Sequence, residues 1–210
     1  MRDLVSSICK GAKVIPVVVI ENVEDAVPLA RCLVDNGLPA VEVTLRTPAA
    51  LDAIKAIVNE VKDCIVGVGS ILSEEQLKAS IDAGAHFGVS PGTSETLLNA
   101  LKATDWPFLP GSGTVSEMMT LREAGFQELK MFPASIVGGV GMLKAVSGPV
   151  GDISFCPTGG VKPENAEEYL SQKNCFAVGG TWIAPLADVN AKNWDAIAER
   201  AKAASKLGQA

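Results

Sequence analysis

The sequence alternates short apolar, β-branched runs with longer stretches of helical periodicity, and this alternation continues along the whole chain. Eight runs are candidate strands: residues 14–20, 40–45, 64–68, 86–89, 107–109, 128–132, 153–156 and 175–178. Between them, apolar residues recur three and four positions apart, as in Leu51, Ile54, Ile57 and Val58. Near-continuous apolar strands separated by helices indicate a parallel sheet covered by helices. Eight such units in 210 residues favour an α/β fold of the (β/α)8 TIM barrel type over an open doubly wound sheet.

Nothing in the sequence divides this alternation into separate parts. No linker, charge run or low-complexity segment interrupts the chain, so we predict one barrel domain over residues 1–210. Residues 3–11 resemble a helix and precede the first strand, and we expect this extra N-terminal helix to close one barrel end. Pro16 lies inside the first predicted strand and removes a backbone donor, which a closed barrel disfavours.

Charge and cysteine usage exclude several classes of partner. Eighteen Lys and Arg stand against 24 Asp and Glu, with no basic block, so we expect no nucleic-acid partner. No uncharged apolar run reaches the ~18 residues that a membrane helix needs, and no signal peptide is recognisable. The five cysteines (Cys9, Cys32, Cys64, Cys156 and Cys175) are odd in number and scattered, which favours buried thiols and a cytoplasmic protein.

Polar residues interrupt the apolar pattern of the second predicted strand. With a period of two, Val41 and Val43 face the helices, whereas Glu42, Thr44 and Arg46 share the interior face. Active sites of (β/α)8 barrels lie at the carboxyl ends of the strands, and buried charges are costly unless they are paired or functional. Either a catalytic group or a buried Glu–Arg pair that fixes the strand register would explain the pattern.

The sixth predicted strand contains a second inward charge. Leu129 and Met131 share one face, and Lys130 points to the other, into the barrel. A lysine ammonium that is desolvated beside a second cation loses its proton easily, and the neutral amine can attack a carbonyl to form a Schiff base. A salt-bridged lysine at a strand end is the alternative.

Two Gly-Gly pairs follow the seventh and eighth predicted strands, in Thr158-Gly159-Gly160 and Gly179-Gly180-Thr181. Glycine lets the backbone approach an anion closely, and the loops after the last two strands of such barrels often bind phosphate. The pairs therefore indicate a phosphate site, with tight turns as the alternative. His86 is the one histidine of the sequence, so we expect a structural role for it and no metal site.

The segments around these residues resemble the 2-keto-3-deoxy-6-phosphogluconate (KDPG) aldolase family, whose members often also cleave 4-hydroxy-2-oxoglutarate. The similar segments are residues 41–47, 67–72, 89–92, 110–111, 129–134, 155–161 and 178–182. They occur in the family's order from the second strand to the eighth. Leu129-Lys130-Met131-Phe132-Pro133 and Cys156-Pro157-Thr158-Gly159-Gly160 are specific to this family, whereas the short Pro-Gly pairs are not.

The resemblance implies a class I aldolase of the Entner–Doudoroff pathway: a homotrimeric (β/α)8 barrel without metal or organic cofactor. It makes Lys130 the Schiff-base lysine and Glu42 the general acid/base. It also implies substrate contacts from Arg46 and Ser70 to the pyruvate carboxylate, from Pro91 and Thr158, and from Gly159, Gly160, Gly180 and Thr181 to the phosphate. Ser70 stands where the family more often has Thr, Thr181 where Ser is frequent, and Ser112-Gly113 where Ile-Ser is more usual.

The implied reaction is the reversible cleavage of KDPG to pyruvate and D-glyceraldehyde 3-phosphate, with 4-hydroxy-2-oxoglutarate as a possible second substrate. The aldolase for the galactonate epimer is the nearest alternative, because the sequence does not separate the two C4 epimers. A sugar-phosphate isomerase or a non-catalytic phosphate-binding barrel would keep both Gly-Gly loops. Neither of these would need an inward lysine beside an inward Glu and Arg.

Overall fold

A computed structural model describes residues 4–209, and helices and strands alternate along them. The strands are β1 (Val14–Val18), β2 (Ala40–Thr44), β3 (Ile65–Gly69), β4 (Phe87–Val89), β5 (Phe108–Leu109), β6 (Gly111–Ser112), β7 (Glu128–Met131), β8 (Ser154–Pro157) and β9 (Val178–Gly180). The helices are α1 (Val5–Ile8), α2 (Ala26–Asp35), α3 (Ala50–Glu60), α4 (Glu74–Asp82), α5 (Glu95–Lys102), α6 (Val115–Glu123), α7 (Gly139–Val146), α8 (Pro163–Leu170), α9 (Leu186–Asn190) and α10 (Trp194–Ala204).

All paired strands are parallel, and they form a curled sheet in two sections. The first section has the order β5-β4-β3-β2-β1-β9, and the second has the order β6-β7-β8. Pro110 separates β5 from β6, because proline has no N–H to donate to a ladder. On the other side, β8 approaches β9 through two isolated bridges, from Phe155 to Cys175 and from Thr158 to Gly179.

Strand boundaries differ from the sequence predictions mainly at the first, fifth and eighth predicted strands. β1 ends at Val18, and its ladder passes from β9 to β2 immediately after Pro16, so the missing donor falls where the pairing changes. Gly111–Ser112 is a strand that the sequence did not predict. The last strand begins at Val178, whereas Cys175, predicted within it, makes an isolated bridge.

The strands carry apolar residues on two faces, as the period of two predicts. Val41, Val43, Leu129 and Met131 pack in the large cluster between the sheet and the helices. The inner face holds a smaller cluster, which includes Ile15, Ala40, Ile65, Phe87, Leu109 and Cys156. The inner positions of β2 and β7 that are not apolar are therefore surrounded by strands rather than by water.

The helix α1 covers the amino-terminal side of this inner cluster. Of the predicted helix over residues 3–11, Asp3 lies outside the described residues, and the helix spans Val5–Ile8. Val5 and Cys9 are buried within the inner cluster, and the N–H of Ser6 donates to Oε2 of Glu128 at 3.0 Å. The helix ends where Lys10 and Gly11 adopt left-handed φ angles of 53° and 74°. No helix within residues 4–209 has the length and apolar character needed to cross a membrane.

Candidate active site

A buried lysine and a buried glutamate meet inside the curled sheet. Lys130 Nζ, on β7, lies 3.0 Å from Oε1 and 3.3 Å from Oε2 of Glu42, on β2. The lysine and glutamate side chains are 6% and 5% exposed. β2 and β7 are not hydrogen-bonded neighbours, so curvature of the sheet brings the two side chains together. The inward direction that the sequence predicts for both residues is confirmed.

The charged group that contacts Lys130 is the acid, one of the two charges that the sequence places beside it. The contacting group is the Glu42 carboxylate, and the ammonium also lies 5.5 Å from the centre of the Phe132 ring, a cation–π distance. Burial of an ion pair costs the desolvation free energy of both charges. Removal of either partner leaves the other charge buried and unpaired. The shared contact also offers a direct path for a proton between the two side chains.

Arg46 lies at the exposed rim rather than on the interior face. Its Nε donates to Oγ of Ser70 at 3.3 Å, so the expected alternative of a buried Glu42–Arg46 pair is wrong. The strand ends at Thr44, and the N–H of Arg46 turns back to the carbonyl of Thr44, which ends the period of two. Ser70 has a φ of 61°, an uncommon backbone for a non-glycine residue that recurs at functional sites.

The loop after β8 presents backbone donors on one side. The carbonyls of Thr158 and Gly159 accept the N–H groups of Ala134 and Ser135 at 2.8 and 3.0 Å. Because N–H and C=O of one trans peptide point in opposite directions, the N–H groups of Gly159 and Gly160 point away from the loop after β7. That side faces β9, since Thr158 bridges Gly179.

Glycine is required at both positions of this loop, because their φ angles are 92° and 79°. The carbonyl of Gly160 accepts from Nδ2 of Asn165 at 3.2 Å, which ties the loop to the start of α8. Just after β9, the Trp182 ring lies against Gly180, and Thr181 is exposed. The predicted phosphate residues thus lie on two adjacent loops, and the N–H groups of Gly159 and Gly160 are directed away from the loop after β7.

Pro91 and Thr158 flank the lysine strand. The Pro91 backbone packs against Gly111, which is paired with Lys130 in the ladder of β6 and β7. Thr158 is buried, and its side chain lies over Gly179. Two further residues touch the central pair: Phe132, which lies beneath the lysine and shares its inward face as the period of two predicts, and Gly69, against which Glu42 packs. The sequence did not single out Gly69. Glycine at an inward position beside a strand with an inward acid is a signal that could have revealed Gly69.

His86 has a structural contact, as predicted: its Nδ1 accepts the N–H of Val66 at 3.0 Å. Among residues 4–209, the acidic, cysteine and histidine side chains form no group of three that could hold a metal ion.

The fold and the site together define a class. A parallel α/β fold with a buried lysine–carboxylate pair inside the sheet is typical of enzymes of the class I aldolase type. Residues 5–200 match a family model that is described as "KDPG and KHG aldolase". The chain belongs to this family.

Individual relatives agree with this assignment. The 2-dehydro-3-deoxy-phosphogluconate aldolase of Pseudoalteromonas atlantica is 48% identical over 91% of this chain and 89% of the relative. The KHG/KDPG aldolase of Escherichia coli (strain K12) is 44% identical over 94% of this chain and 93% of the relative. Among solved structures, KDPG aldolase from Legionella pneumophila, with pyruvate captured at low pH as a covalent carbinolamine intermediate, has a TM-score of 0.91. The two chains are 41% identical, and the match covers 94% of this chain and 96% of the Legionella chain.

Proposed function

We propose that the chain is a class I aldolase that reversibly cleaves KDPG to pyruvate and D-glyceraldehyde 3-phosphate. The observation that carries the proposal is the buried contact of 3.0 Å between Lys130 Nζ and Glu42. The Legionella relative supports it, because a carbinolamine forms when an amine attacks a carbonyl. The KHG/KDPG name of the Escherichia coli relative supports 4-hydroxy-2-oxoglutarate as a second substrate.

Covalent attachment starts with a proton transfer between the two side chains. Glu42 takes a proton from Lys130, and the neutral amine attacks the C2 carbonyl of the substrate. The new C–N bond gives a carbinolamine, whose oxygen accepts a proton from the attacking nitrogen. Glu42 then returns a proton to the departing hydroxyl, and water leaves with formation of a protonated imine on Lys130.

Cleavage uses this imine as an acceptor of electrons. Glu42, again a carboxylate, accepts the proton of the C4 hydroxyl while the C3–C4 bond breaks and its electron pair moves toward the imine nitrogen. Glyceraldehyde 3-phosphate leaves, and the remaining enamine is protonated at C3. Hydrolysis of the resulting imine releases pyruvate and frees the amine of Lys130. Every proton that is removed in one step is returned in a later one.

The rim residues bind the two charged ends of the substrate. Arg46 uses Nε for Ser70, which leaves its terminal nitrogens for the pyruvate carboxylate, with the Ser70 hydroxyl beside it. Pro91 and Thr158 line the space between the carboxylate and the phosphate. The phosphate lies against the N–H groups of Gly159 and Gly160 and against Gly180 and Thr181, away from the reacting carbons, where it positions the aldehyde half.

The proposal includes a single domain over residues 1–210, a closed (β/α)8 barrel with α1 at its amino-terminal end, and a homotrimer. Closure is supported by the bridges between β8 and β9 and by the gap between β5 and β6, which is limited to Pro110. The burial of Val5 and Cys9 supports the position of α1. The trimer follows from the family resemblance. Light scattering should give three times the 21.8 kDa chain mass, and a monomer would contradict it. Free, mostly buried cysteines support a cytoplasmic location.

Borohydride trapping tests the function directly. Reduction in the presence of pyruvate should attach a three-carbon adduct to the peptide that contains Lys130, and Lys130→Ala should lose both the adduct and turnover. Lys144→Ala, on α7, is the matched control and should keep both. Turnover of KDPG without an adduct on Lys130 would exclude this mechanism. Parallel assays with the galactonate epimer decide the substrate, since faster cleavage of that epimer would replace KDPG in the proposal.

A further inference from the structure

The inner face of β3 carries no side chain at two successive inward positions. In the ladder between β2 and β3, Glu42 pairs with Gly67 and Thr44 pairs with Gly69, so both glycines share the interior face with these β2 residues. A Cβ at Gly67 would meet the Phe87 ring at 2.2 Å, and a Cβ at Gly69 would meet Oε1 of Glu42 at 2.1 Å. The first glycine makes room for an apolar ring, and the second makes room for the carboxylate.

The nearest neighbours of a Cβ at Gly69 all belong to Glu42. The three heavy atoms nearest to a Cβ at this position are Oε1, Cδ and Cγ of Glu42, at 2.1, 2.8 and 2.8 Å. The backbone of Gly69 is that of an ordinary strand, without the left-handed φ that would itself call for glycine. Space for the glutamate side chain is therefore the physical reason for a glycine at position 69.

We propose that Gly69 is a positioning residue for the aldolase reaction, because the absent side chain lets the Glu42 carboxylate lie against β3 within reach of Lys130. This inference rests on the proposed role of Glu42 as the proton carrier. The carboxylate oxygen that would collide with the added methyl group is the one 3.0 Å from Lys130 Nζ. A side chain at position 69 thus displaces the atom that exchanges the proton.

Gly69→Ala perturbs this arrangement selectively. The colliding atoms are the end of a flexible side chain, so the carboxylate can rotate away while the strand stays in place. Ordinary van der Waals contact requires about 3.4 Å or more, so the oxygen must move by roughly 1 Å. A misplacement of this size in a catalytic group can cost about 100-fold in rate.

The experiment compares steady-state kinetics of KDPG cleavage in the wild type and four variants. Gly69→Ala should lower kcat about 100-fold and change KM by less than about threefold. Glu42→Ala removes the Cγ, Cδ and Oε1 atoms that the methyl group would meet, so the double variant Glu42→Ala/Gly69→Ala should lose less than the product of the two single losses. Gly141→Ala, at a position with open space around it, is the control and should match the wild type.

Two kinetic results would overturn the proposal: wild-type kcat in Gly69→Ala, or losses that multiply in the double variant. Thermal unfolding provides a readout that does not depend on activity. In a Glu42→Ala background the collision is absent, so Gly69→Ala should then leave Tm unchanged, and an equal drop in both backgrounds would count against the contact. If the wild type lacks aldolase activity, the proposed function fails, whereas unimpaired turnover by Gly69→Ala defeats the positioning role alone.

Discussion

Two buried glutamates face the interior of the curled sheet, and they have different partners. Glu42, in the middle of β2, contacts the ammonium of Lys130, whereas Glu128, the first residue of β7, accepts the backbone N–H of Ser6. Glu128 lies one inward position before Lys130 on the same strand. The acid in the middle of its strand is paired with a group that can react, whereas the acid at the amino end of its strand accepts a hydrogen bond from the backbone of α1. We infer that distance along the strand separates chemistry from stability in this molecule.

The surroundings of Glu128 agree with a structural role. Burial, together with the nearby Glu128 carboxylate, raises the pKa of the Cys9 thiol to about 12. A thiol with this pKa stays protonated at neutral pH and is a poor nucleophile. The amino end therefore combines an acid bound to backbone with an inert thiol, whereas the other end combines an acid with an amine.

The strongest test of this comparison makes the same substitution at both positions. Glu42→Gln removes the proton acceptor but keeps the shape of the side chain, so we expect kcat to fall by about 10²- to 10⁴-fold. Some borohydride trapping of pyruvate on Lys130 should remain, because the amine is still present. Initial rates of KDPG cleavage and peptide mass mapping measure the two effects.

Glu128→Gln is the matched control, with kcat expected within about twofold of the wild type, since its carboxylate is outside the reacting pair. Wild-type turnover by Glu42→Gln would assign proton transfer to another group. Equal losses at the two glutamates would remove the distinction between the two ends of the sheet.

A smaller effect is expected from residues at the carboxyl ends of the strands that bind substrate but take no part in bond breaking. Thr181→Ala removes one proposed hydrogen bond to the phosphate, and hydrogen bonds to charged groups contribute roughly 1.5–3 kcal/mol. KM for KDPG should rise about tenfold, whereas KM for 4-hydroxy-2-oxoglutarate, which has no phosphate, should stay unchanged. An equal increase for both substrates would place Thr181 away from the phosphate.

The direction of the key side chains could be predicted from the sequence because a strand has a period of two. Glu42 and Lys130 each interrupt an apolar alternation, and both point inward as that alternation requires. Their contact could be predicted only together with the barrel fold, since β2 and β7 are distant in the sheet order and meet only through curvature. Arg46 shows the limit of the rule: β2 ends at Thr44, and the following turn carries the guanidinium to the rim.

The glycines of the site also differ in whether their role can be predicted from the sequence. Gly159 and Gly160 could be recognised in the sequence as a loop pair, and their left-handed φ angles agree with that interpretation. Gly69 and Gly179 lie against side chains of the neighbouring strands, Glu42 and Thr158, so their role depends on register across the sheet. The neighbours of these two glycines therefore follow only once the pairing and the register of the strands are known.

The smallest effect on activity is expected from removal of the acid at the amino end. Glu128→Ala leaves the N–H of Ser6 without its partner and opens a small cavity beside Val5 and Cys9, so the free energy of unfolding should fall by about 2 kcal/mol. Denaturant unfolding measures this loss, and kcat should stay within about twofold of the wild type. Ser6→Ala keeps the N–H and should leave the stability unchanged. A Glu128→Ala protein with normal stability and impaired turnover would reverse the assignment, because Glu128 would then act on Lys130 along β7 rather than on α1.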